Sequence, residues 1–257
     1  MNNYGYAEFL LPKYFKVGRS HLVYMSDSKY FGAKYVKKMA RKIIRFYKAK
    51  KHIDFNDCFL PANKLEISNN AYYEGYFQSV AFFELQKEKI KRKFSIREKY
   101  TKLFKEKYGK LFAENKILVI NIRRAEYVAI APDYLGGQTV SLPISYYTKC
   151  LDKIENLENY KIIVTGDDME FGKQHFSYLP NVSFEENEKE KIMIDFQLLM
   201  NADVSIISNS TFAWWAAYLN NKKEKIVYAP KYWLGYHIKK EFPIGISYNL
   251  PYFWEEI

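Results

Sequence analysis

Short apolar runs alternate with longer stretches of helical periodicity through the second half of the chain. The runs at 117–122, 161–165, 204–207 and 226–229 have the length and composition of buried strands. Between and after them, 143–154, 168–176, 192–201 and 211–220 read as helices, and Pro143 suits a first helical turn. Strands alternating with helices predict an α/β fold with a parallel sheet and ligand loops at the strand ends. The upstream texture differs. Residues 1–33 read as irregular structure with short strands, 52–83 are mixed, and 84–108 read as a charged helix with both signs interspersed. From Pro230 the chain is aromatic and rich in turn formers. No internal repeat or low-complexity linker interrupts it.

One upstream stretch changes this picture. Residues 34–51 hold nine lysines or arginines and no acid, and Val36, Met39, Ile43 and Tyr47 recur at helical spacing. Such a basic amphipathic helix suits an anionic membrane face, or equally a surface helix packed by one stripe with its lysines in water. The chain as a whole carries +11 at pH 7, so its partner could be nucleic acid, an anionic membrane or a phosphorylated small molecule. Of its 257 residues 48% are apolar, enough for a substantial core. Cys58 and Cys150 are far apart and the four histidines are scattered, which argues against a disulfide framework and a metal site. No RNP-like or zinc signature supports nucleic-acid binding. No secretory signal is visible, and no apolar stretch reaches the ~18 residues of a spanning helix. The expected location is cytoplasmic, peripheral at the inner membrane face.

Three segments bring chemistry to the strand ends. After the run at 117–122 comes Asn121-Ile-Arg-Arg-Ala-Glu-Tyr127. Paired arginines directly after a buried strand need an anion, either phosphate or an internal carboxylate. After 161–165 comes Gly166-Asp167-Asp168, whose carboxylates suit a helix cap better than a metal. The third is Val204–Leu219, in which Ser208, Asn209, Ser210 and Thr211 separate a strand from an aromatic helix. Unpaired N–H groups and the helix dipole make that junction either a phosphate site or a capped core helix. Upstream, Asp195 stands among Ile192, Met193, Ile194, Phe196, Leu198 and Leu199 and requires a partner. A guanine edge would supply one, as would an arginine or a backbone donor. Trp214 and Trp215, past the first helical turn, are expected to pack that helix rather than bind a sugar.

Taken together, these segments resemble glycosyltransferase family 11, the α-1,2-fucosyltransferases, and their wider α-1,6 and protein O-fucosyltransferase relatives. The family pattern His-x-Arg-Arg-x-Asp is similar to Asn121-Ile-Arg123-Arg124-Ala-Glu126, and Ser-Asn-Ser-[Ser/Thr]-Phe-x-Trp-Trp is similar to Ser208–Trp215. Leu142–Tyr147, Gly166–Asp168 and Glu74–Gln78 also look like family segments, and the likeness covers about residues 70–235. The resemblance implies a GT-B type fold with two Rossmann-like halves, with residues 1–110 as a shortened acceptor-side region. Residues 111–230 would form the GDP-sugar-binding domain and 231–257 an aromatic tail. It implies GDP-fucose as donor, inversion, no metal and no cofactor. It also implies a galactosyl glycan acceptor of bacterial surface polysaccharide, for which a lipid-linked form is open, as for a galactoside 2-alpha-L-fucosyltransferase.

Carried over by position, Arg123 holds the pyrophosphate and Ser210, Thr211 and Phe212 line the phosphates. Asp195 meets the guanine, and Arg124 is structural. Glu126 is either a weak base or an ion-pair partner of Arg124. Two departures stand in the first motif, where the usual His is Asn121 and the usual Asp is Glu126. Asn121 can bond a ribose or base but cannot carry a proton. A larger departure is the missing Gly-Gly-Leu-Gly-Asn-Gln-type opening loop, which leaves a catalytically inactive GDP-sugar binder or truncated family member as the second reading.

Overall fold

In the computed structural model, residues 51–54, 71–74, 79–186 and 191–257 are described. The basic segment 34–51, apart from its last residue, and most of the upstream family-like segment 74–78 lie outside them. The chain divides into two compact units, Met1–Arg97 and Glu98–Ile257. In the first, β1 (Lys51–Asp54) and β2 (Ala71–Glu74) pair in parallel. Two short 3-10 turns then lead to α1 (Lys87–Lys93), whose last turn carries Lys91, Arg92 and Lys93 against the negative end of its dipole.

The second unit opens with α2 (Glu98–Glu114). The single charged helix expected over 84–108 is therefore two, interrupted at Phe94-Ser95-Ile96. Phe94 closes α1 by donating its N–H to the carbonyls of Ile90 and Arg92. Ser95 and β-branched Ile96 are weak helix formers. The domain limit expected after residue 110 falls inside α2.

The core of this unit is a six-stranded, all-parallel sheet. In chain order its elements are β3 (Lys116–Ile122), α3 (Ile144–Leu151), β4 (Tyr160–Gly166), α4 (Met169–Phe176) and β5 (Val182–Phe184). After these come α5 (Lys191–Asn201), β6 (Val204–Ile206), α6 (Thr211–Leu219), β7 (Ile226–Pro230) and β8 (Phe253–Glu255). The spatial order is β5-β4-β3-β6-β7-β8. The chain thus starts in the middle, works outward through β4 and β5, then returns to the other side of β3. That is the doubly wound arrangement, and its reversal point lies between β3 and β6.

The strands read as continuous apolar runs because helices cover both faces. On one face Leu118, Ile120 and Ile122 of β3 pack with Tyr146, Tyr147, Cys150 and Leu151 of α3 and with Phe176 of α4. On α5, Gln197 donates to the carbonyls of Tyr100 and Met193, both at 3.0 Å, which ties α5 to α2. The largely apolar α6 packs on α5, where the Phe212 and Phe196 rings meet edge-on at 5.2 Å, and its Ala213, Ala216 and Ala217 are fully buried. Trp214 is 2% exposed and donates its indole N–H to the Ile246 carbonyl at 3.2 Å. Trp214 therefore packs its helix, as expected, and Trp215 lies edge-on against it.

Two strands were not expected. β5 has three residues at the sheet edge, and β8 comes from the segment read as a tail. β8 pairs with β7, and the tail is tied to the α3 end by the Lys153–Glu255 ion pair and by Lys149, whose ammonium donates to the Glu256 carbonyl at 3.1 Å. Among the described residues no helix is long and apolar enough to cross a membrane.

Burial pushes the Tyr146 and Tyr147 phenols well above their ordinary values and raises the Cys150 thiol from 9.0 to about 12. Each group is neutral in the fold, with its folded value above its unfolded one. The stability this carries is complete below the unfolded value and is lost as pH rises through the folded one. The urea midpoint should hold below pH 9.0 and fall as pH approaches about 12. In a Cys58→Ser protein, no thiol should react with an aromatic disulfide reagent until urea is added. A thiol that reacts in the native protein contradicts the burial of Cys150.

Candidate functional site

The reversal point between β3 and β6 lies where, beyond the carboxyl ends of the strands, ligands bind in open parallel sheets. Three loops surround it: Arg123-Arg124 after β3, Gly166-Asp167-Asp168 after β4, and Ile207–Ser210 after β6. Register brings them together, since Ile122 stands opposite Gly166 and Ile120 opposite Ile206.

The floor is held by one buried contact across the reversal point. Ser208 Oγ donates to Asn121 Oδ1 at 2.6 Å, and the Tyr147 hydroxyl donates to the Asn121 carbonyl at 3.3 Å. Asn121 is 4% exposed, and its Nδ2 donates to no described group. Beside it Asn209 donates Nδ2 to the Val140 carbonyl at 2.8 Å, while its Oδ1 is buried with no partner. One buried acceptor, Asn209 Oδ1, is thus left unused at the strand ends, a costly arrangement unless a ligand meets it.

The junction into α6 is open at one end only. Lys225 Nζ donates to the carbonyls of Ala217 and Asn220 at 2.7 and 2.5 Å and closes the C-terminus. At the N-terminus, Ser210 sits at the cap position with extended backbone, but its side chain makes no capping bond, and no acid stands in the first turn. The alternative of a self-capped helix is therefore not what forms. Ser210 is 7% exposed, Phe212 half-buried and Thr211 exposed, and the first-turn N–H groups point their partial charge outward.

The arginines meet carboxylates. Arg123 Nη1 donates to Asp167 Oδ2 at 2.7 Å, Nη2 pairs with Glu126, and the guanidinium lies 5.1 Å from the Tyr127 ring centroid. Arg124 donates its backbone N–H to Asp167 Oδ1 at 2.7 Å, Nε to Asp168 Oδ2 at 3.1 Å and Nη1 to Ser141 Oγ at 3.1 Å. Its guanidinium sits 4.0 Å over Phe171. The partner of Glu126 is thus Arg123 and not Arg124, a correction with a simple geometric reason. Residues three apart share one side of a helical turn, whereas residues two apart do not. Asp168 caps α4, accepting from the Phe171 N–H at 2.9 Å.

Gly166 makes this clustering possible. Its φ is +142°, and a Cβ there would lie 2.0 Å from the Ile122 carbonyl oxygen. Only glycine fits, and the ends of β3 and β4 close up far enough for Asp167 to reach both arginines. Asp195, on α5, accepts a hydrogen bond from Thr165 Oγ1, and both are buried. The partners that its apolar surroundings require thus include the Thr165 hydroxyl near the carboxyl end of β4. Among the described residues no three His, Cys, Asp or Glu side chains converge as metal ligands. Two cavities of about 470 and 340 Å³ lie at the opposite edge around Lys116, Tyr160 and Val204. They face the amino ends of the strands, where a parallel sheet offers no helix N-termini.

The strand order and the groups gathered at its reversal point define an α/β protein of the doubly wound, Rossmann-like class. The model of glycosyl transferase family 11 matches residues 20–241, and the chain belongs to that family. It is 30% identical over 199 residues to the O-antigen biosynthesis glycosyltransferase WbnK of Escherichia coli, covering 75% of this chain and 65% of that one. It is 28% identical over 175 residues to an alpha-1,2-colitosyltransferase of Escherichia coli, covering 64% and 58%. The chain thus spans less than two thirds of the length of these relatives. Among solved structures, NodZ alpha-1,6-fucosyltransferase soaked with GDP-fucose aligns with TM-score 0.48 and 14% identity, over 81% of this chain and 75% of that one. NodZ from Bradyrhizobium aligns with TM-score 0.43 and 15% identity, over 63% and 55%.

Gly166→Ala tests the close approach. The added methyl forces β3 and β4 apart and should cost about 3 kcal/mol or more in urea unfolding. A loss under about 0.5 kcal/mol, the level of an ordinary surface change, contradicts the reading.

Proposed function

We propose that the chain is an inverting glycosyltransferase that moves L-fucose from GDP-fucose to a hydroxyl of a galactosyl glycan, forming an α-1,2 linkage in bacterial surface polysaccharide. The observation that carries this reading is the uncapped N-terminus of α6 on one side of the sheet's reversal point with Arg123 following the strand on the other, in a member of glycosyl transferase family 11. The name of the WbnK relative supports surface polysaccharide as the product class. On this reading the described sheet is the donor half of a GT-B pair, and the upstream unit is a shortened acceptor half. The enzyme works without metal or cofactor, in the cytoplasm, with the basic segment 34–51 resting on the inner membrane face near a lipid-linked acceptor.

The chemistry follows from charge. As the bond from the sugar's anomeric carbon to the β-phosphate oxygen breaks, negative charge grows on GDP. Arg123 and the amides of Ser210, Thr211 and Phe212 stabilise it from fixed positions, so little reorganisation is needed during the reaction. The acceptor oxygen attacks the opposite face and loses its proton to a carboxylate, for which Glu126 is the nearest group on this loop. Asn121 Nδ2 and the Asn209 Oδ1 acceptor face the ribose and base. Asp195, its rotamer fixed by Thr165, meets the guanine edge. One observation favours a second reading, a GDP-sugar binder without turnover: Arg123 is already engaged by Asp167 and Glu126.

Calorimetry should show GDP and GDP-fucose binding while UDP-sugars do not, and equal affinity for guanine and uracil nucleotides would remove the donor assignment. With labelled GDP-fucose and a panel of galactosyl acceptors, Arg123→Ala should lower kcat/KM by about 10²–10³-fold. Transfer at the unaltered rate would show that Arg123 does not hold the phosphate. Binding without transfer to any acceptor would favour the second reading.

A further inference from the structure

The two carboxylates on Arg123 differ in how they are held. Asp167 is clipped to β3 from three directions. Its Oδ2 meets Arg123 Nη1 and its Oδ1 the Arg124 backbone N–H, each at 2.7 Å, while its own N–H donates to the Ile122 carbonyl at 3.3 Å. Glu126 meets Arg123 alone, from a short 3-10 turn (Glu126–Ala129) that begins at Glu126, and its side chain is 39% exposed against 23% for Asp167.

We infer that Asp167 is a positioning residue that aims Arg123, whereas Glu126 is an exchangeable placeholder that a diphosphate displaces. This rests on the donor site proposed above. Arg123 presents two edges. Asp167 occupies one permanently, and the Glu126 edge is where an incoming phosphate oxygen can dock. An exposed carboxylate–arginine pair is weak, whereas a phosphate backed by helix amides is a stronger, charge-assisted partner. Exchange therefore runs toward the nucleotide. It also releases Glu126 only when donor is bound, so the one carboxylate on this loop able to take the acceptor's proton is withheld from the empty enzyme.

The two acids consequently have opposite effects on the same guanidinium. Titrations of the full chain with GDP and with inorganic pyrophosphate separate them. Glu126→Gln should tighten both ligands by about two- to five-fold, because the competitor is gone. Asp167→Asn should weaken both by about ten-fold, because Arg123 is no longer aimed. Glu170→Gln makes the same charge change on α4, and no described group bonds Glu170. It should leave both affinities within two-fold.

In turnover, Glu126→Gln should lower the donor KM and kcat together, a split that a structural role would not produce. If Glu126→Gln weakens binding or leaves it unchanged, the placeholder role is overturned while the donor site stands. If Asp167→Asn binds as tightly as the parent, the positioning role is overturned; thermal unfolding of each variant shows whether a loss reflects the fold instead, and Asp167→Glu then serves as the second variant. Failure of the parent chain to bind GDP, with pyrophosphate still bound and the Glu126 effect intact, overturns the guanine assignment alone.

Discussion

Everything at the ligand edge depends on how closely the ends of β3 and β4 approach. Gly166 stands opposite Ile122 with no room for a Cβ, and the peptide after it donates back to the Ile122 carbonyl. That contact delivers Asp167 to the base of the arginine pair. Arg123 and Arg124 follow a buried strand, where free guanidinium groups would be costly, and Asp167 offers each of them a different oxygen. The position of Arg123 is therefore set by backbone packing at the strand ends rather than by the long, flexible side chain itself.

The same geometry changes the meaning of the chain's charge. Its net charge is +11, yet its candidate site gathers two arginines against three carboxylates, Glu126, Asp167 and Asp168. Attraction for an anion there cannot rest on excess side-chain charge. On the proposed reading it would rest on the open N-terminus of α6, whose amides cannot be neutralised, and on an arginine with one weakly held partner. On that reading such a site would discriminate by geometry, because a diphosphate would have to reach the helix amides and the arginine edge together.

Much of this was legible in the sequence. Continuous apolar runs marked β3, β4, β6 and β7 because burial on both faces removes alternation. The hydroxyl-rich junction into α6, the Asp168 cap and the packing role of Trp214 were read from local rules that tertiary contacts did not override. The rest was set by contacts distant in sequence. β5 and β8 have three residues each and gain their identity only from a neighbouring edge. The Thr165 partner of Asp195 lies 30 residues away, and the choice between it and a nucleotide has no local signal. Glu126 is different, because its three-residue spacing from Arg123 already favoured that pairing over Arg124. The expectation for 34–51 falls almost wholly outside the described residues and stays a proposal.

The central claim is that the first turn of α6 holds a diphosphate. Backbone amide resonances of Thr211 and Phe212 test it directly, with GDP and guanosine compared at saturation. The account predicts large downfield shifts and slowed exchange at both amides with GDP, and little change with guanosine. Equal responses to the two ligands, or none at these amides while GDP is bound, would contradict it.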